Sequence, residues 1–308
     1  MSVPPPILLI AGASTEREGL TEMLERRGHA VTHVEDGMQG RTILEGQPEA
    51  GLVVVLDLAH AEALKFLRAP AVQRAAVPII CIADRRKPDA SSEALRLGIA
   101  DLVARPVREE ELTAAIANAR EFSGTAGTTK PEPAPGIELP AGSVFGASPA
   151  IREILALVRR VAPSRCNVLV LGERGTGRES VARAVHAQSP HRAKPFVKLE
   201  CGSARAELAG AIGEDALPGT TIYFEEIGEL PADAQRRLVE LIRQRAESSA
   251  DLRLIGSAAP RVDDWVGRGE LRADLVEALG VVRVQLPPLR QRTEDIPLLA
   301  THLSLIHI

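Results

Sequence analysis

The chain has 308 residues, of which 45% are hydrophobic and 25% charged, with a formal net charge of -4 and a pI near 6.0. That length suits two domains with their own cores, and the acidic balance excludes a whole-chain basic field of the kind that attracts nucleic acid. The N-terminus, "MSVPPPILLIAG", has no positive leader, and no uninterrupted apolar run reaches about 18 residues, so a cytoplasmic protein with no membrane partner is expected.

From residue 7 to 121, short apolar runs alternate with amphipathic stretches: "ILLIA" then 15–27, "AVTHV" then 38–46, "LVVVLD" then 60–69, "PIICIA" then 90–97, "ADLVA" then 108–121. Five strand-helix units of this kind predict one parallel sheet covered on both faces. Cys81, Cys166 and Cys201 are too dispersed for a metal knuckle and lie in or beside apolar runs, so they read as buried thiols. His29 and His33 are four apart, but "AVTHV", which contains His33, reads as a strand, where that spacing gives no helical metal face. Residues 122–142, "FSGTAGTTKPEPAPGIELPAG", are rich in proline and glycine and read as an extended linker.

A second domain begins near Ser143. "SPAIREILALVRRVA" offers Ser148 as an N-cap and Pro149 at the first helical position. "NVLVL" feeds "GERGTGRE", and "ESVARAVHA" follows as a helix, with further strands at "PFVKLE", "TTIYFEE", "DLRLIGS" and "VVRVQL". Gly172, Glu173, Arg174, Gly175, Thr176, Gly177, Arg178 and Glu179 therefore lie between a strand end and a helix N-terminus, where backbone N–H groups and the helix dipole favour a phosphate. A glycine-rich turn in that place can also be purely structural. An arginine, Arg178, stands where a phosphate-binding lysine is usual, and lysine is scarce here, at 65, 87, 130, 194 and 198 alone.

"VFGASPAIREI", "VLGERGTGRESVARAVH", "YFEEIGELP" and "GELRADLVEALGVVRVQLPPLRQRTEDIPLL" resemble the AAA+ domain of the nitrogen-regulator-C family of sigma-54 activators, over about residues 143–302. The first 121 residues, with Asp57 ending the third strand and "ARPV" after the fifth, resemble the receiver that precedes this domain in two-component response regulators. The resemblance implies an α/β protein: a flavodoxin-like (βα)5 receiver, then a P-loop three-layer α/β/α domain. It implies ATP and Mg²⁺ as cofactors, a homo-oligomer, a sigma factor or RNA polymerase as partner, and DNA bound through a helix-turn-helix that this chain does not contain.

The same resemblance assigns roles. Arg178 takes the lysine position; Glu225 would face the metal and Glu226 would orient water; Arg272 would reach a neighbouring subunit's nucleotide. Several positions depart from the family: Arg178 for lysine, Glu225 for aspartate, Glu200 and Ala259 for asparagines, and Ala278 for a second arginine. Arginine is planar and bulkier than an ammonium, and a carboxylate donates no hydrogen bond, so together these changes predict lost hydrolysis with phosphate binding retained through the loop N–H groups and Arg178. The alternative is an active ATPase that drives sigma-54 transcription, for which Glu226 and Arg272 are retained. A sensor for another nucleotide is a third reading without a dedicated signal.

The sigma-54 contact loop, with its Gly-Ala-Phe-Thr-Gly-Ala signature, is missing between "ELAG" and "TTIYF", and so is the helical lid. In the receiver-like part, Ala11 and Gly12 replace the acidic pair, Ala83 the hydroxyl residue and Arg105 the lysine, leaving Asp57 as the sole phosphoacceptor candidate. A degenerate receiver without a cognate sensor kinase follows. For Asp57 alone, the plain alternative is a strand-end carboxylate capping the next turn. The final "LSLIHI", residues 303–308, matches one reading frame of a sequencing-library adapter and is expected to be an artefactual tail.

Overall fold

A computed structural model describes residues 4–12, 15–46, 51–60, 62–75, 77–122, 146–202, 218–247 and 252–306. The described residues fall into two compact units, one within Met1–Pro135 and one within Gly136–Ile308. The linker assigned to 122–142 lies outside the described residues from 123 onward, as do 203–217, where the missing contact loop would belong.

The first unit is a five-stranded sheet in the order β2-β1-β3-β4-β5, with every pairing parallel. Its strands are β1 (Ile7–Ile10), β2 (Val31–Val34), β3 (Val53–Asp57), β4 (Ile79–Ala83) and β5 (Asp101–Ala104). The central strands are continuous apolar runs because helices cover both faces: α1 (Thr15–Arg26), α2 (Gly37–Glu45), α3 (Ala63–Arg68), α4 (Pro70–Arg74), α5 (Pro88–Arg96) and α6 (Glu109–Phe122). One face packs Ile7, Leu9, Val53, Val55, Ile80 and Ile82 against Leu20, Leu24, Leu112 and Ile116. The stretch read as a helix over 60–69 holds the shorter α3, and a second short helix, α4, follows it from Pro70. Ala69 is extended, at φ -63° and ψ 130°, because Pro70 disfavours a helical residue before it.

The second unit begins with α7 (Pro149–Val161). Ser148 caps it, its hydroxyl accepting from Ile151 N at 3.4 Å. Strands β6 (Val168–Leu171), β7 (Phe196–Glu200), β8 (Thr221–Glu225), β9 (Arg253–Ala258) and β10 (Val282–Gln285) form a second parallel sheet in the order β10-β6-β9-β8-β7. Helices α8 (Arg178–Ala187), α9 (Ala232–Glu247), α10 (Val262–Gly267), α11 (Ala273–Leu279) and α12 (Ile296–Ile306) accompany it. The backbone of α12 runs past the boundary placed at 302, so the residues set apart as a tail prolong a helix as far as Ile306.

Two buried charged residues fasten this unit. Asp295, 1% exposed, accepts from the N–H groups of Ala147 and Ser148 at 2.7 and 2.8 Å, tying the segment before α12 to the start of α7. Arg253 on β9 donates to the carbonyls of Ala162 and Val161 at 2.7 and 2.8 Å, at the C-terminal end of α7. A third fastening is steric. A Cβ on Gly228, in the 3-10 turn Ile227–Glu229, would lie 2.1 Å from Cζ3 of Trp265 on α10. Gly228→Ala is therefore expected to displace that indole and lower stability by about 2 kcal/mol. Trp265 is the only tryptophan, so its emission reports the change directly; an unshifted spectrum and midpoint would contradict this packing.

Candidate functional site

The glycine-rich loop leaves β6 and enters α8, as its sequence requires. Gly175 and Gly177 have φ of 80° and 97°, a left-handed backbone that favours glycine, and a Cβ at Gly172 would lie 2.6 Å from Thr176 Oγ1. The loop is secured from within by Thr176 Oγ1 donating to Glu173 O at 2.7 Å. It is secured from outside by the "LRQR" segment: Arg292 donates to Thr176 O at 2.7 Å, and Arg290 grips Glu173 with both Nη groups at 2.8 and 2.7 Å. These two arginines are not among the site residues expected from the sequence. Their signal lies in the family-specific phrase that contains them, which carries no hint of where it packs.

The loop borders a cleft of about 430 Å³ lined by Arg174, Gly175, Gly177, Arg178, Glu179, Glu200, Cys201, Glu225, Glu226 and Glu229. Most of the expected site residues thus converge, because β8, β7 and the loop after β6 all end at the same edge of the sheet, beside the point where strand order reverses between β6 and β9. Arg272 is not among the lining residues. It is exposed and pairs with Asp274 through Nε at 2.9 Å and Nη2 at 2.7 Å, while its backbone N–H donates to the buried Gln235.

Arg178 does not point into open space as a phosphate ligand. It is 7% exposed and engages the carboxylate of Glu226 with both ends of its fork, Nη1 lying 3.1 Å from Oε2 and Nη2 bonding Oε1. Glu226 is the one non-glycine residue with positive φ among the described residues, at 56°, and its N–H donates to Ser257 Oγ at 3.2 Å. Tyr223 OH donates to the same Ser257 oxygen at 2.9 Å. The residue expected to orient water is therefore strained and clasped by the residue expected to hold phosphate. In this chain Arg178, rather than an asparagine at position 200, restrains it.

Glu225 is held by Lys198, whose Nζ lies 2.7 Å from Glu225 Oε2 and 2.9 Å from Glu179 Oε2. The hydrogen bond to Glu225 is the main reason the ammonium lies above its ordinary range, more than offsetting burial. Burial pushes Glu179 up, but its bonds from Lys198 and Arg183 outweigh that and hold it below the usual carboxylate range. Cys201 is pushed up to about 12 by burial and by Glu229, Glu226 and Glu225, which disfavours its thiolate. All three cysteines are free and buried.

In the first unit, Asp57 ends β3 beside Arg105, which follows β5. Asp57 Oδ2 accepts from Arg105 Nη2 at 2.7 Å, and Oδ1 accepts from Ala59 N at 2.9 Å, capping the turn after the strand. The same Nη2 lies 3.2 Å from Glu16. Among the described residues no group of three His, Cys, Asp or Glu is placed to hold a metal ion, and no helix is long and apolar enough to cross a membrane.

Comparison with known proteins agrees with this architecture. Residues 145–289 match the Sigma-54 interaction domain. The transcriptional regulatory protein GlrR of Escherichia coli K12 is 30% identical over 92% of this chain and 69% of its own length. The transcriptional regulator NtrC of Klebsiella pneumoniae is 28% identical over 94% of this chain and 66% of its own. A crystal structure of Brucella abortus NtrX in complex with ADP aligns with a TM-score of 0.47 at 24% identity, covering 96% of this chain and 71% of that one. The chain belongs to the family of sigma-54-activator response regulators, a family of transcriptional regulators with a receiver-like region followed by a nucleotide-binding AAA+ domain.

Proposed function

We propose that this protein is a transcriptional regulator of the sigma-54 activator type that holds a nucleotide phosphate in the loop 172–179 without hydrolysing it, and works as an oligomerising scaffold in the cytoplasm. Residues 1–121 act as a degenerate receiver and 143–302 as the AAA+ domain, with RNA polymerase or a sigma factor as partner and DNA reached through a helix-turn-helix of the family's kind. The observation that carries the reading is the clasp of Glu226 by Arg178. Phosphoryl transfer depends on a carboxylate free to position water and a cation free to follow charge onto the phosphate. Here each occupies the other, and a phosphate entering the cleft competes with Glu226 for the guanidinium. The test is phosphate release by the full chain alongside a nucleotide-induced thermal shift. A shift with ATP and release at background is expected; sustained turnover abolished by Arg178→Ala would instead establish the active ATPase.

The receiver reading makes a separate prediction. Arg105 already neutralises Asp57, and Ala11 and Gly12 offer no carboxylate for a metal at that edge. Incubation with acetyl phosphate and Mg²⁺ is expected to leave the intact mass unchanged. A phosphoryl adduct that disappears in Asp57→Asn would overturn this.

A further inference from the structure

Of the five glutamates that line the cleft, Glu179, Glu225, Glu226 and Glu229 have cations beside them. Glu225, at the end of β8, and Glu179, in the first turn of α8, converge on Lys198 of β7 at 2.7 and 2.9 Å. Arg183 also pairs with Glu179, at 2.7 Å. On the opposite wall Arg178 holds Glu226, and Arg174 lies 3.1 Å from Glu229. Two cations thus balance Glu179 and Glu225, and two more balance Glu226 and Glu229, before any ion enters.

Mg²⁺ needs a near-octahedral shell of oxygens at about 2.0–2.1 Å. Glu225 could offer its second oxygen to that shell only with an ammonium already on the first, which repels a divalent ion, and Glu226 has both oxygens on Arg178 and could enter only by leaving it. The residues present do not fit a divalent metal.

We infer that Lys198, which is not itself a lining residue but bridges the lining carboxylates of Glu179 and Glu225, is the resident cation at this side of the cleft, so that a phosphate ligand is held there without a divalent metal. An ammonium is a compact charge with three donors. Glu225 and Glu179 take two of them, and the third serves a phosphate oxygen on the partly open side of the cleft. One of the chain's five lysines stands here, bridging the helix that follows the loop and the strand that ends in the acidic pair. The inference rests on reading the loop 172–179 as a phosphate site.

Two measurements on the full chain test it separately. The first is a Mn²⁺ titration followed by electron paramagnetic resonance, with no nucleotide present. Wild-type protein is expected to show no site filled below about 1 mM, while Lys198→Met frees Glu179 and Glu225 and gains one. A Mn²⁺ site in wild-type protein that vanishes in Glu225→Gln would overturn the inference, and so would a Lys198→Met protein that is folded and gains none. If Lys198→Met does not fold, Lys198→Gln replaces it. The second is calorimetry with ADP in EDTA and in Mg²⁺. Wild-type affinity is expected to agree within roughly twofold between buffers, and Lys198→Met to bind about tenfold more weakly in EDTA and to recover with Mg²⁺. Wild-type binding that is stronger by about tenfold or more with Mg²⁺ would overturn the inference. Absence of ADP binding in both buffers overturns the phosphate reading and the ligand half of this inference, and the Mn²⁺ titration alone then decides the place of Lys198.

Discussion

Arg178→Ala is expected to cost the second unit about 3–5 kcal/mol of stability. The size follows from burial. The Arg178 and Glu226 side chains are 7% and 12% exposed, and truncating the arginine leaves a largely buried carboxylate without its main partner on a backbone already held at positive φ. Arg174 lies 3.6 Å from the same carboxylate, but it is 79% exposed and compensates only in part. Glu226→Gln alone leaves the guanidinium with one neutral acceptor and costs less. The double variant Arg178→Met with Glu226→Gln is expected to recover most of the loss, because no uncompensated buried charge remains. Denaturant midpoints of the wild type, Arg178→Ala, Arg178→Met, Glu226→Gln and the double variant check this, the Met and Gln variants closing the cycle. Additive losses in the double variant would show that the pair is not coupled and that the clasp is not what restrains Glu226.

Arg253→Ala has a comparable expected effect on stability with none on the site. Arg253 is 5% exposed on β9, and with no carboxylate partner to offset burial its ionisation is pulled down to about 10. Its stabilising bonds are to two carbonyls at the end of α7, where a cation also meets the negative end of the helix dipole. Truncation opens a cavity and removes the side-chain donor from Ala162 O, while Val161 O keeps Ser164 Oγ at 2.9 Å. A loss of about 3 kcal/mol is expected. Arg253→Met fills the volume without a buried charge and is expected to lose less than half as much. Nucleotide-induced thermal shifts in both variants should match wild type once their lower starting stability is allowed for. A Met variant as unstable as the Ala variant would place the whole effect in the hydrogen bonds.

The two units share one device. In each, the resemblance gives lysine at a cationic position and this chain has arginine, Arg105 in the first and Arg178 in the second. Each arginine bonds the acid that the family's chemistry would use, Asp57 or Glu226. A planar fork holds a carboxylate in a fixed geometry that an ammonium does not impose. This favours a protein built to keep both sites quiet, in line with a regulator that works through contacts.

Much of the fold is legible in the sequence by itself. Apolar runs and period-3.6 patterning mark ten strands, the helical stretches of the first unit and α7 and α8 of the second, and Ser148 with Pro149 marks the start of α7. Glycine spacing locates the loop, because glycine suits positive φ at 175 and 177. The stretch read over 60–69 stops where Pro70 breaks the helix, but that reading leaves out the short helix that Pro70 begins. Such features are local, set by backbone sterics and by the side-chain period of each element.

What the tertiary structure alone decided is which charges meet. Arg178 and Glu226 are 48 positions apart, Arg292 and Thr176 116 apart, and Lys198 reaches acids on two different elements. In a chain with 37 basic and 41 acidic residues, sequence names the charges but leaves their partners open. Partners are fixed by strand order, since the ends of β6, β7 and β8 share one edge of the sheet, and by burial, which makes an unpaired charge there costly enough to select a single arrangement.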